Sequence, residues 1–171
     1  MIITLGPEGT YAHQATQVLF PNEPIVFEDS IVKVFKKAKP DDILILPIEN
    51  SSTGLLPEVW EEIKARNLSV DKTHVLKIHH AIGSLSKNFK KVLAHHQALQ
   101  QCRQYLSKKY PQAKLEAVGS NALAVKLVAK DPNAAAIASE FAFRIYNLPI
   151  LEENISDSKD NETRFGIITY V

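Results

Sequence analysis

One cysteine, Cys102, one methionine and one tryptophan occur among 171 residues, and a lone thiol excludes an intramolecular disulfide framework. Net charge is almost absent: 20 Lys and Arg against 19 Asp and Glu leave +1. That balance gives no general attraction for nucleic acid or for an acidic surface, so an anionic ligand must be held by local donors. No apolar run approaches the roughly 20 residues needed to cross a bilayer. The opening MIITLGPEGT has neither the basic segment nor the apolar run of a secretory leader, so a cytoplasmic protein is expected, with no membrane and no nucleic-acid partner. Internal repeats and low-complexity tracts are missing as well. His79–His80 and His95–His96 are adjacent pairs whose rings diverge on regular backbone, which gives no zinc-ligand spacing, and no metal is expected.

What the chain does have is enough apolar material for a core: 45% of it is hydrophobic, and its length suits one domain or two small lobes. Met1–Leu5 reads as a strand stopped by Gly6-Pro7, and Ala12, Ala15, Val18 and Leu19 give helical spacing over 11–20. A strand at 24–27, a helix from a Ser30 cap to Ala38 and a buried strand at 42–46 repeat the pattern. After a loop at 47–54, the helix 57–66 carries Pro in its first turn, with Val59, Trp60 and Ile63 toward the core. Residues 69–84 are rich in β-branched side chains and read as an extended crossing between two lobes. Strands at 91–94, 114–118 and 134–138 then alternate with helices at 97–110, 121–130 (Ser120 cap) and 140–147, before a final strand at 163–170. The polar stretch 156–161 is expected to be a mobile loop. This alternation predicts an α/β fold with parallel strands, in which ligands lie outside the carboxyl ends of the strands.

Four polar segments occupy such positions. Gly6–Tyr11 (GPEGTY) sets Gly9 and Thr10 at a helix N-terminus, whose free N–H groups suit a carboxylate or phosphate. It has no P-loop lysine, which argues against a nucleoside triphosphate. Pro47–Gly54 (PIENSSTG) gathers Glu49, Asn50, Ser51, Ser52 and Thr53 directly after an apolar strand; the plain alternative is a hydroxyl-rich turn capping the next helix. Ala94–Cys102 (AHHQALQQC) places Gln97, Gln101 and Gln104 along one helical side and Leu99, Cys102 and Leu106 on the other. Gln101 is thus expected toward a cleft and Cys102 in the core. In Asn161–Phe165 (NETRF), alternation sends Thr163 and Phe165 to one face and Arg164 to the other. Arg164 then either pairs with an acid such as Glu49 or contacts substrate directly.

Taken in order, GPEGTY, PIENSSTG, HHQALQQC, AAIASEFA and NETRF resemble the prephenate dehydratase family over essentially the whole chain. The resemblance implies two α/β lobes like those of type II periplasmic binding proteins with a central cleft, one lobe near 1–78 plus 164–171 and the other near 79–163. It implies a carbon–oxygen lyase of phenylalanine biosynthesis that converts prephenate to phenylpyruvate, carbon dioxide and water without cofactor or metal. By position, Thr163 would contact the leaving hydroxyl, Asn50 and Gln101 would orient the substrate, and Glu49 would assist or organise its loop. An unperturbed threonine is a poor acid, so hydrogen bonding to the leaving group is expected rather than full proton transfer. The two carboxylates of prephenate would be met by Gly9, Thr10, Ser51, Ser52, Ser84 and Arg164, with Phe165 beside them. Where the family commonly reads Ser-His-Pro-Gln this chain has Ala94, His95, His96 and Gln97, so a site hydroxyl is missing. Many members continue into a phenylalanine-binding ACT domain, which this sequence does not include, and feedback would then need a separate ACT-domain chain. Members commonly form dimers or larger homo-oligomers, but no heptad or apolar stripe marks an interface here. The rivals are a prephenate decarboxylase that keeps the hydroxyl, an arogenate dehydratase, and a noncatalytic small-anion-binding module.

Overall fold

The computed structural model describes residues 1–171 and divides the chain into two units. Met1–Pro7, Tyr11–Ile78 and Asp160–Val171 form the first; Glu8–Thr10 and His79–Lys159 form the second. The crossing thus falls after Ile78, and the chain returns at Asp160, ahead of Arg164. The return point has a local cause, since Ile78 N–H donates to the Asn161 carbonyl at 2.8 Å and fastens the incoming segment to the first unit.

The first unit holds strands β1 (Ile2–Leu5), β2 (Ile25–Glu28), β3 (Ile43–Asn50), β4 (Gly54–Leu55), β5 (Leu68–Lys77) and β11 (Glu162–Tyr170), with helices α1 (Tyr11–Leu19), α2 (Ile31–Lys37) and α3 (Pro57–Ala65). Its sheet runs β2-β1-β3-β11-β5, with β4 paired to β3. β1 is parallel to both β2 and β3, whereas β11 enters antiparallel between β3 and β5. The sheet is therefore mixed rather than wholly parallel. Successive side chains of β3 go to opposite faces: Leu44, Leu46 and Ile48 join the core under α2 and α3, while Ile45 joins the one that holds Ala12 and Ala15 of α1. Burial on both faces explains why the strand is a nearly unbroken apolar run.

The second unit holds β6 (Ala81–Ser84), β7 (Lys91–Ala94), β8 (Lys114–Ala117), β9 (Ala134–Ala138) and β10 (Ile150–Glu152), with α4 (His96–Gln101), α5 (Arg103–Lys109), α6 (Asn121–Val128) and α7 (Glu140–Ile145). The strand order is β10-β6-β9-β7-β8. β9 reads AAAIA and is buried throughout; Ala134, Ala136 and Ala138 meet α6 and α7, while Ala135 and Ile137 meet α4 and α5. Small residues let helices approach the sheet from both sides. The tightest approach is at Gly83, where an added Cβ would lie 2.4 Å from Phe143 and 2.6 Å from the Pro149 carbonyl. Overpacking against backbone and a core ring has no cheap relief, so Gly83→Ala should cost about 3 kcal/mol, read as a shifted urea midpoint at unchanged slope.

Serine caps explain three helix starts: Ser30, Ser120 and Ser139 accept from the backbone N–H groups of Lys33, Leu123 and Ala142. Several expectations change. The single helix over 97–110 is two, because Asp157 accepts from Gln104 and Tyr105 N–H groups and caps a new helix at Arg103. Residues 156–161 are accordingly tethered, with Asp157 N–H donating to the Gln101 carbonyl at 2.7 Å and Ser51 holding the Asp160 carbonyl. Trp60 is 37% exposed instead of central to the core, and its indole N–H donates to the Ile48 carbonyl. Cys102 is fully buried, as its apolar stripe predicts; burial and the nearby Asp157 charge push its thiol up to about 12, so it is inert at neutral pH. No helix is long and apolar enough to cross a membrane.

Candidate active site

PIEN is not a loop. β3 runs on through Asn50, and antiparallel pairing sets Asn50 directly opposite Thr163 at the mouth of β11. Directly opposed residues share a face and touch. The Asn50 side chain uses that placement: Nδ2 donates to Thr163 Oγ1 at 2.8 Å and to Asn161 Oδ1 at 3.1 Å, while Oδ1 accepts from Ser52 N–H at 2.8 Å. Because the Thr163 oxygen already accepts from Asn50, its own proton is left to point elsewhere, and it has no acceptor within the chain. Accepting one hydrogen bond polarises a hydroxyl and makes it a stronger donor. Thr163 is 8% exposed, which places this donor in a largely dehydrated setting where it counts for more than in water.

Asn161, to which the sequence alone assigns no role, is the organiser of this cluster. It is buried, and its Oδ1 collects the Asn50 amide and the Ser51 and Ser52 hydroxyls, the last two at 3.3 and 3.4 Å. An asparagine leading the final strand, directly before the residues expected to face the substrate, is the available signal. Ser51 also accepts from Glu162 N–H, so the two serines brace the segment as well as standing beside it. Glu49 and Arg164 lie one position back, opposite each other, and pair at 3.1 Å with both side chains partly exposed. The pair anchors β3 to β11, and at that exposure it adds well under about 1 kcal/mol.

Two of the expected contact residues are buried and engaged within the chain. Phe165 shares the face of Thr163, as alternation predicts, but it lies one step deeper along β11, is 1% exposed and sits in the core with Ile2, Ala12, Ala15 and Ile45. Ser84 is 2% exposed and donates to the Ala134 carbonyl at 2.6 Å, so its only proton closes the strand pair and none remains for a ligand.

The second unit carries its own polar set. Gly9 has φ +90, a left-handed backbone that favours glycine, and an added Cβ would come within 3.1 Å of the Tyr146 ring. Tyr146 Oη donates to the Glu8 carbonyl at 2.7 Å and pins the turn that carries Gly9 and Thr10. Gln101 ends α4, and its Oε1 lies 2.7 Å from Nε2 of the buried His80. Burial, with a smaller contribution from His79, lowers the His80 pKa in spite of the Gln101 contact. Ala94 is fully buried at the end of β7; His95 caps α4 by accepting from Gln97 N–H through Nδ1. No group of acidic, histidine or cysteine side chains is arranged to hold a metal ion.

Each unit is an α/β sheet with helices, and in the first unit amides and hydroxyls are collected at the ends of β3 and β11. A family model for prephenate dehydratase matches residues 2–170, and the chain belongs to that family. It is 38% identical, over 98% of its length, to a prephenate dehydratase of Methanocaldococcus jannaschii, of which it spans 64%. It is 35% identical, over 96% of its length, to the bifunctional chorismate mutase/prephenate dehydratase of Pseudomonas aeruginosa, of which it spans 47%. The chain thus covers about half to two thirds of these curated relatives. Its fold matches a prephenate dehydratase of Arthrobacter aurescens, solved in complex with L-Phe, at TM-score 0.88 and 22% identity, over 99% of this chain and 60% of that one.

Proposed function

We propose that the chain catalyses the decarboxylative dehydration of prephenate to phenylpyruvate, as a carbon–oxygen lyase of phenylalanine biosynthesis. Family membership supplies the substrate class, and one observation supports the chemistry: the Asn50–Thr163 hydrogen bond, which leaves the threonine proton as a buried donor. In the reaction the ring carboxylate leaves as carbon dioxide, and its bonding electrons enter the ring. The ring carbon–oxygen bond breaks, and the departing hydroxide takes up one proton to become water. Aromaticity drives the electron flow, so the protein's task is to stabilise oxygen as it gains negative charge.

Thr163 is the group assigned to that oxygen. Its O–H strengthens as a donor while charge develops, and Asn50 holds the hydroxyl with its proton outward. Asn161 fixes the Asn50 amide so that Nδ2, not Oδ1, meets the threonine. Gln101, Gly9, Thr10, Ser51 and Ser52 are assigned to the two carboxylates, while Glu49 and Arg164 hold the strands that carry Asn50 and Thr163. Ser84 and Phe165 are not given a ligand role.

Ligand binding tests the assignment without turnover. Phenylpyruvate at about a hundredfold excess over its Kd should raise Tm by about 5 °C or more, whereas no shift at saturation would remove the binding site from this reading. Supplying prephenate and arogenate in parallel separates the two dehydratase readings, because the first yields phenylpyruvate and the second phenylalanine.

A further inference from the structure

We propose that His80 is a positioning residue for substrate recognition, holding the Gln101 amide in the orientation that presents its NH2 group to an anionic ligand. This rests on the dehydratase reading above and extends it to a residue with no assigned role. A side-chain amide oxygen can only accept, so the 2.7 Å contact between Gln101 Oε1 and His80 Nε2 requires the imidazole to carry its proton on Nε2 and to donate. With Oε1 held, the NH2 group is fixed on the other branch of the amide, and no hydrogen bond within the chain occupies it. His80 is 3% exposed, and burial lowers its pKa, which favours a neutral ring that orients the amide without adding a cation.

Backbone contacts make the pair one built object. The His80 carbonyl accepts from Ile155 N–H at 3.0 Å, and the Gln101 carbonyl accepts from Asp157 N–H at 2.7 Å. The same short segment therefore grips both residues, although they are 21 positions apart in sequence. Remove the imidazole donor and the amide is free to turn over, showing a carboxylate its oxygen instead of its nitrogen. A glutamine amide costs little to rotate, so orientation must come from a neighbour, and His80 is that neighbour.

The test is a cycle of variants assayed with prephenate. His80→Leu should raise KM about tenfold while kcat changes less than about threefold, since the lost interaction is one of binding. His80→Gln keeps an N–H donor at similar reach and should restore KM to within about threefold. In a Gln101→Ala background, His80→Leu should have no further effect on KM, because the histidine acts only through the glutamine. An unchanged KM in His80→Leu, or an undiminished effect in the Gln101→Ala background, overturns the proposal. If the unaltered chain turns over no prephenate, the dehydratase reading fails by itself, and long-range proton–nitrogen spectra still decide this one. An Nε2-protonated His80 with Gln101 NH2 signals that move on adding phenylpyruvate supports it; an Nδ1-protonated ring, or NH2 signals that stay fixed, overturns it.

Discussion

Thr163→Ala should lower kcat for prephenate by about 100-fold to 1000-fold and leave KM within about threefold, the pattern of an interaction made mainly in the transition state. In the substrate the ring oxygen is a neutral hydroxyl and a weak acceptor; only as the carbon–oxygen bond breaks does it become a strong one. The Thr163 proton is aimed by Asn50 at 2.8 Å and sits in a largely dehydrated setting, so its contribution grows with that developing charge. Alanine removes the donor and leaves Asn50 with Asn161 as its remaining acceptor, so the fold should lose no more than about 1–2 kcal/mol. Thr163→Ser retains the O–H and loses only a methyl group, and its kcat should stay within about tenfold of the parent. Equal kcat in the alanine variant and the parent removes Thr163 from the chemistry.

Asn50→Asp changes shape hardly at all and should still cost kcat about 100-fold or more, because it reverses the direction of one hydrogen bond. The amide nitrogen that now donates to Thr163 and Asn161 becomes an oxygen that can only accept. Thr163 then turns its proton back onto the new carboxylate, away from the leaving group, and a second acceptor faces Asn161 Oδ1. The other carboxylate oxygen can still receive Ser52 N–H, so the local backbone has a reason to stay in place. A thermal melt within a few degrees of the parent, together with the loss of turnover, separates this reversal from unfolding. Retained turnover would show that the direction of the Asn50–Thr163 bond does not matter.

Much of the architecture is legible in the sequence because its causes are local. Serines 30, 120 and 139 cap the helices that follow them, and Pro57 opens α3, as short-range chemistry dictates. The polar segments are legible too, since a carboxylate, an amide and hydroxyls directly after an apolar strand are expensive to bury without purpose. What stays hidden depends on residues distant in sequence. Pro47 reads as the end of a strand because it has no N–H for the ladder; pairing with β11, over 110 residues later, carries β3 through it with a bulge at Ile48. Alternation does put Phe165 on the face of Thr163, but that the face becomes core at Phe165 depends on Ile2, Ala12 and Ala15, far away in sequence. The helix break at Cys102 needs Asp157 as a cap, and neither the serine at 84 nor the histidine at 80 announces its partner in sequence. Arg164 has two roles open to it in sequence, ion pair or ligand contact, and cross-strand register settles its neighbour as Glu49.

The most direct measurement is the stoichiometry of the unaltered chain acting on prephenate at mildly alkaline pH, where spontaneous acid-driven aromatisation is slow. Phenylpyruvate is followed by its enolate absorbance after adding alkali, and carbon dioxide is trapped from the same sample. The expected result is one phenylpyruvate and one carbon dioxide for each prephenate consumed, at a rate that collapses in Thr163→Ala. Carbon dioxide release without phenylpyruvate would mean decarboxylation with the hydroxyl retained, and no consumption at all would contradict a dehydratase in favour of a protein that only binds small anions.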